Sequence, residues 1–290
     1  MKRVILSFLV GLIAVNLYGQ QGNIFGNYEI GLSASGGLSA LHFSTTDGRN
    51  PSYSAGYVLG WDFAILFTEK WSFRTGINMA SYYASVSFDR MKTRNLTVTP
   101  KEGGLPANSS FYVVTEYREY EELHEALYLR FPLMVQYRMG KYFYAAAGIQ
   151  TGILANGTYR IKSGELVTEG YSDFTWQLYD DIPEHGFDIY SNIKSTNKPD
   201  FGIALSGALE TGVKWGLNNG MALYTGVFLD YGLNDIRKSS PTKESIVYDE
   251  NGAHTFNSIL YSKNEGTPMT GKVQPLAVGL RMRLSMGFGI

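Results

Sequence analysis

Four histidines and a scatter of carboxylates are the residues of this 290-residue chain with the clearest capacity for chemistry. His42, His124, His185 and His254 stand far apart, and no HxxxH or HExxH spacing sets two of them on one element as metal ligands. The densest grouping is YDDIPEHGFD, residues 179–188, where Asp180, Asp181 and His185 come together. An acidic pair beside a histidine can activate water for hydrolysis, but only when several loops hold the groups in register. One polar loop does not supply that geometry, so a solvated acidic loop is the favoured reading. Serine elbows, phosphate-binding glycine loops and GxGxxG fingerprints are also absent. No catalytic residue, metal site or cofactor is assigned.

The elements that carry the remaining charges are more informative. At the C-terminus, Leu276, Val278, Leu280, Met282, Leu284, Met286, Phe288 and Ile290 alternate with small residues and two arginines. The same period of two runs through residues 28–40, 57–67, 71–80, 127–137, 143–154, 201–215 and 221–233. These are eight candidate strands of about ten or more residues, enough to cross a bilayer when tilted. Strands of soluble proteins average only about five or six residues. Tight turns at 68–70, 139–141 and 217–219 alternate with long polar segments at 42–53, 89–123, 156–200 and 234–270. The expected architecture is an all-β, eight-stranded, antiparallel up-and-down transmembrane barrel. Its long loops lie at one end and its tight turns, with both termini, at the other.

In such a barrel the face opposite lipid carries Glu29, Asp62, Arg74, Arg130, Arg138, Glu210, Lys214, Asp230, Arg281 and Arg283. They could form an ion pathway or a ligand site. They could equally be a network of paired charges. An eight-stranded barrel is just wide enough for its own side chains, and unpaired charges there are expensive. Both arguments favour pairing, with Arg281, Arg283, Arg130 and Glu210 the first candidates. In the loops, FYVVTEYREY (111–120) alternates enough to predict a hairpin rising out of the barrel. The histidines are all expected in long loops. Tyr171, Phe174, Trp176, Tyr179, Phe187 and Tyr190 suit a contact surface, and suit equally well the packing of loops on one another.

The start, MKRVILSFLVGLIAVNLYGQQGN, has a basic pair, an apolar run and a small residue at Gly19. It is expected to be a cleaved signal peptide over residues 1–20, leaving a single barrel domain over 21–290. With no cysteine, neither a disulfide nor a lipidated N-terminal Cys is available. The formal net charge of −1 and the lack of a basic run argue against nucleic acid as a partner. The Asn-x-Thr patterns at Asn95 and Asn156 read as coincidental in an exported bacterial-type chain.

LYLRFPLMVQYRMGKYFYAAAGIQTGILANG (127–157) resembles the PorT-like outer-membrane β-barrel family of Bacteroidetes-type bacteria. FGIALSGALETGVKW (201–215) and the later strand ending YGLNDI are similar to its later strands. The resemblance covers most of the mature chain and implies an outer-membrane barrel associated with protein secretion, without common catalytic residues. Ile290 departs from the aromatic that usually ends such barrels, though Phe288 shares its face. The expected function is a scaffold in outer-membrane lipid that presents long loops to another envelope or secretion protein or to a surface glycan. A narrow pore or small-molecule transporter is the alternative, and a loop-based hydrolase ranks below it.

Overall fold

The computed structural model describes residues 27–46, 49, 51–98, 111–183, 186–217, 220–248 and 254–288. The expected signal peptide (1–20), His185 and Ile290 lie outside them. Strand dominates, and no α-helix occurs among the described residues.

The first five strands are β1 (Asn27–His42), β2 (Ser54–Leu66), β3 (Trp71–Val98), β4 (Phe111–Met139) and β5 (Phe143–Ser172). The short β6 (Gln177–Tyr179) and β7 (Ile189–Asn197) pair onto β5. Then come β8 (Ala204–Gly216), β9 (Met221–Gly232) and β14 (Gln274–Phe288). Between these last two lie β10 (Ile246–Tyr248), β11 (His254–Phe256), β12 (Lys263–Asn264) and β13 (Thr267–Pro268). Eight strands form a ring in the order β1-β2-β3-β4-β5-β8-β9-β14, each antiparallel to its neighbours. Pairing of β1 with β14, from Tyr28↔Phe288 to His42↔Gln274, closes it.

The alternation seen in the sequence sorts side chains across this wall. On β14, Leu280 is 68% exposed while Arg281 and Arg283 are buried. The outward apolar belt ends in aromatic girdles: Phe67, Trp71, Tyr142, Phe143 and Trp215 at the tight turns, and Tyr53, Tyr57 and Tyr231 at the other end. Along β4 the belt runs from Tyr137 to Leu127, about ten residues, or roughly 25 Å for a tilted strand. Two inward glycines let the closing strands approach closely. A Cβ on Gly37 would lie 2.2 Å from the Val278 carbonyl oxygen, and one on Gly279 would lie 2.2 Å from that of Gly36.

Strand length departs most from expectation. β3, β4 and β5 have 28, 29 and 30 residues, so the described part of the loop expected at 89–123 is strand, as are residues 156–172 of the loop expected at 156–200. The hairpin reading of 111–120 agrees with this pairing, which carries β4 up to Phe111↔Val98. His124 therefore sits inside a strand, fully buried, instead of in a loop. Ala155 is an extra residue in β5 where the register shifts, at the top of the belt. Farther out the arm bends. Buried positions step from Phe88 to Met91, from Tyr120 to Tyr117 and from Ser163 to Leu166, so all three strands change facing together. Glu119 takes a left-handed φ of 53° at the bend, and a Cβ on the neighbouring Gly164 would lie 2.6 Å from its carboxylate.

Residues 234–248 and 254–273 fold back over the mouth of the ring. Ile236, Ile259, Leu260 and Val273 are buried there with Tyr82, Tyr117, Tyr120, Tyr128, Tyr159 and Phe201. The molecule thus has two storeys: a polar interior inside the belt and an apolar core above it, under the cap.

Candidate functional site

Inside the belt the charged residues reach across the ring. Arg74 on β3 donates two hydrogen bonds to Glu210 on β8, that from Nη1 to Oε1 at 3.0 Å. Arg281 on β14 donates to Glu210 Oε2 at 2.8 Å and to Ser35 Oγ at 2.8 Å. Tyr144 donates to Glu210 Oε1 at 2.8 Å, and Asp62 lies 3.8 Å from Arg74. Nearer the mouth, Arg130 donates to Asp230 and to the Tyr82 hydroxyl, both at 2.8 Å, and Gln150 donates to Asp230 at 2.6 Å. Toward the tight turns, Lys214 and Tyr224 both donate to Glu29 at 2.6 Å.

Arg283 meets no carboxylate among these; it donates to Gln136 Oε1 at 2.9 Å and lies 4.0 Å from the centre of the Tyr224 ring. An amide oxygen and an aromatic face thus stand beside its charge, with the Glu29 and Glu210 carboxylates acting on it at longer range. Arg138 is half-buried at the tight-turn mouth, beside a pocket of about 20 Å³. Chords from β3 to β8, β4 to β9, β8 to β1 and β14 to β4 thus fill the interior, as the narrowness of eight strands requires. The neutral partners Gln136, Gln150, Tyr82, Tyr144 and Tyr224 escaped the sequence reading, which followed charge alone. Their inward parity on the strands would have found them.

A second polar cluster sits above the belt, where the cap enters. His124 Nε2 lies 2.6 Å from Glu122 Oε1, and the Tyr120 hydroxyl donates to the other carboxylate oxygen. That oxygen also accepts the Ile259 amide at 3.0 Å, and Ser258 Oγ is 3.5 Å from His124 Nε2. Burial raises the Glu122 carboxyl, but attraction to His124 and its hydrogen bonds outweigh burial and hold it below the ordinary carboxylate range. Burial, with the Glu122 charge beside it, pushes the Tyr120 hydroxyl well above the usual phenol value. Glu122 therefore acts as a latch for the buried turn 258–262. Tyr120, Glu122 and His124 share parity with Tyr128 and Arg130, the one signal that could have found them in sequence.

The six loop aromatics divide. Tyr190 packs against the main core, and Tyr171 lies 5.5 Å below the Arg94 guanidinium. Phe187 pairs with Ile182, and Tyr179 is half-buried on β6. Phe174 and Trp176, in the turn after β5, are 55% and 81% exposed, and Trp176 has a left-handed φ of 55°. Leu178, on β6, and Ile189, on β7, are exposed as well. Asp180 and Asp181 are also exposed, while His185 is outside the described residues. Among the described residues no group of three His, Asp or Glu is placed to hold a metal.

Among curated proteins none matches the chain. Solved structures that resemble it include Ail of Yersinia pestis, crystallised with the heparin analogue sucrose octasulfate. It is 10% identical, with 88% of this chain and 98% of that one covered at a TM-score of 0.28. OprG of Pseudomonas aeruginosa is 11% identical, with coverages of 93% and 99% and a TM-score of 0.28. The Escherichia coli outer membrane protease OmpT is 10% identical, with coverages of 90% and 96% and a TM-score of 0.29. Likenesses this distant carry no functional argument. Residues 19–238 match the family model described as an outer membrane protein beta-barrel domain, a stretch that takes in seven of the eight ring strands. The chain belongs to the outer-membrane β-barrel domain family, and its apolar belt is the surface that meets the lipid of that membrane.

Proposed function

We propose that this protein is a filled scaffold in the outer membrane, exported by its N-terminal segment, whose three-stranded arm presents an apolar tip to another envelope or secretion protein. The observation that carries this reading is the patch of Phe174, Trp176 and Leu178 at the end of the longest strand. Large apolar side chains exposed close together in sequence mark an interaction surface more than a single exposed one does. The arm is supported because β3, β4 and β5 stay paired on both sides of the bend near Glu119 and the cap contacts β3. The PorT-like strand patterns add an association with protein secretion, and on this reading the protein performs no catalysis. The narrow-pore alternative is disfavoured by the chords between opposite walls. A glycan as occupant is an outcome of the test.

Photo-crosslinking from positions 174 and 176 in intact cells tests the proposal. We expect a discrete protein adduct from both positions and none from position 162, an exposed lysine lower on the same strand. An equal pattern from all three positions, or adducts with polysaccharide alone, would overturn it.

A further inference from the structure

Above the belt β3 pairs with a full strand on one side only, β4. Its other edge is covered in pieces. Close to the belt, Ser52 and Ser85 exchange backbone hydrogen bonds of 2.8 and 3.5 Å, and Arg49 Nη1 donates to the Ser87 carbonyl at 3.0 Å. Farther out, Asn264 Oδ1 accepts the Arg94 amide at 2.8 Å, and the Glu265 amide donates to the Arg94 carbonyl at 3.2 Å. Between these covers the edge at residues 88–91 opens into a cleft of about 470 Å³.

The walls of the cleft differ in chemistry. Phe88, Met91, Ile259 and Met269 supply apolar surface. Thr45 and Thr46 line it with hydroxyls that donate to the Arg49 and Pro268 carbonyls, and Arg90, Lys92 and Glu265 are its charged lining among the described residues. Arg90 is open to solvent: its side chain is 74% exposed and its ion pair with Glu116 is long, at 3.9 Å. The volume falls in the range of about 300–1,000 Å³ usual for small-molecule pockets. Both ends of the cleft along the strand are closed, by Ser52 and Arg49 and by Asn264 and Glu265. An extended peptide therefore has no room to run through, and a compact ligand does.

We propose that this cleft binds a small amphipathic anion, with a flat or aliphatic body on the Phe88–Met91–Ile259–Met269 surface and a phosphate, sulfate or carboxylate head between Arg90 and Lys92. The site faces the external medium about nine residues along β3 beyond Ser81, which pairs with Leu127 at the end of the belt, so a free solute reaches it more readily than the head of a lipid in the outer leaflet. It is independent of the arm tip, and failure of either proposal leaves the other standing.

The test is calorimetric titration of 1-naphthyl phosphate into the full protein held in phosphatidylcholine nanodiscs, with empty discs subtracted. We expect saturable one-site binding, with 1-naphthol and inorganic phosphate each binding about tenfold more weakly or less. The double variant R90Q/K92Q should raise the Kd about tenfold or more, since it removes both charge-assisted contacts from exposed positions that do not affect folding. Met91→Trp should abolish binding by filling the apolar wall, while heat-modifiable gel migration reports that the barrel is intact. Competition when lipopolysaccharide is added to the discs identifies a lipid head as the occupant, and its absence identifies a solute. Unsaturable binding, or affinity unchanged in R90Q/K92Q, overturns the proposal.

Discussion

Replacing Glu210 with Gln is the sharpest probe of the interior. The carboxylate accepts two hydrogen bonds from Arg74, one from Arg281 and one from Tyr144, and its side chain is fully buried. Glutamine keeps the shape but removes the charge, and its amide group must point donors at guanidinium donors. Two cations then remain inside the belt with only Asp62 near Arg74. Breaking a buried pair in this way typically costs about 3–5 kcal/mol. With a urea slope of roughly 2 kcal/mol per molar, that loss lowers the unfolding midpoint by about 2 M. The assay is urea unfolding of the barrel folded into phosphatidylcholine vesicles, followed by tryptophan fluorescence and gel migration. Arg160→Gln is the control, since Arg160 and its partner Glu125 are 42% and 40% exposed and such pairs contribute less than about 1 kcal/mol. A midpoint for E210Q within about 0.5 M of the R160Q value would refute the view that the lumen is held by mutual pairing. Replacing Arg74, Glu210 and Arg281 with Met and Asp62 with Asn, all together, should recover much of the loss, because none of these four charges is then left without its partner.

Two further outcomes follow from the cap and the seam. The carboxyl of Glu122 lies lower in the folded protein than in the unfolded chain, so its stabilising effect is full above the unfolded value near ~4.3 and fades as pH falls through the folded one. Protection of the Ile259 amide, measured relative to the intrinsic exchange rate at each pH, should thus hold from pH 7 down to about 5 and fall below about pH 4, whereas E122Q should be poorly protected throughout and lose this acid step. At the β1–β14 seam, Gly37→Val should fail to give the compact, heat-modifiable band because its Cβ meets the Val278 carbonyl at 2.2 Å. Gly36→Ala, whose nearest neighbour would be 4.0 Å away, should fold normally.

What the sequence disclosed, and what it concealed, follows from one inversion. Along β4 the odd positions from Tyr137 to Leu127 are apolar and outward, and the even ones, Gln136 and Arg130, are inward. Beyond Leu127 the parity persists but the polarity reverses: Glu125 and Glu121 face out, while Ala126, His124 and Tyr120 face in. A membrane-type strand thus becomes a soluble-type strand without a break. A search for one apolar face sees the pattern end and reads a loop. That is why strands within the belt, and the tight turns between them, were legible while the outer halves of β3, β4 and β5 were not. The charged lumen residues were legible by parity, whereas the latch needed the same parity carried past the inversion. The cap shows no such periodicity, since its buried turn is held by Glu122 and by scattered backbone hydrogen bonds such as Lys243 to the Tyr261 carbonyl, not by a long strand pair.

The same inversion bears on how the protein sits in its bilayer. On β4 the lipid-facing apolar row gives way to Glu125, ion-paired with Arg160, two residues beyond Leu127, and girdle aromatics mark the opposite rim. Sinking the barrel would drag charges toward hydrocarbon, at a cost that climbs from near zero at the interface to about 2–4 kcal/mol for a basic residue at the midplane. Raising it would lift Trp71, Phe143 and Trp215 out of the interface they suit. Vertical float is therefore small, and where the bilayer and the belt differ in thickness the lipid deforms to match the protein.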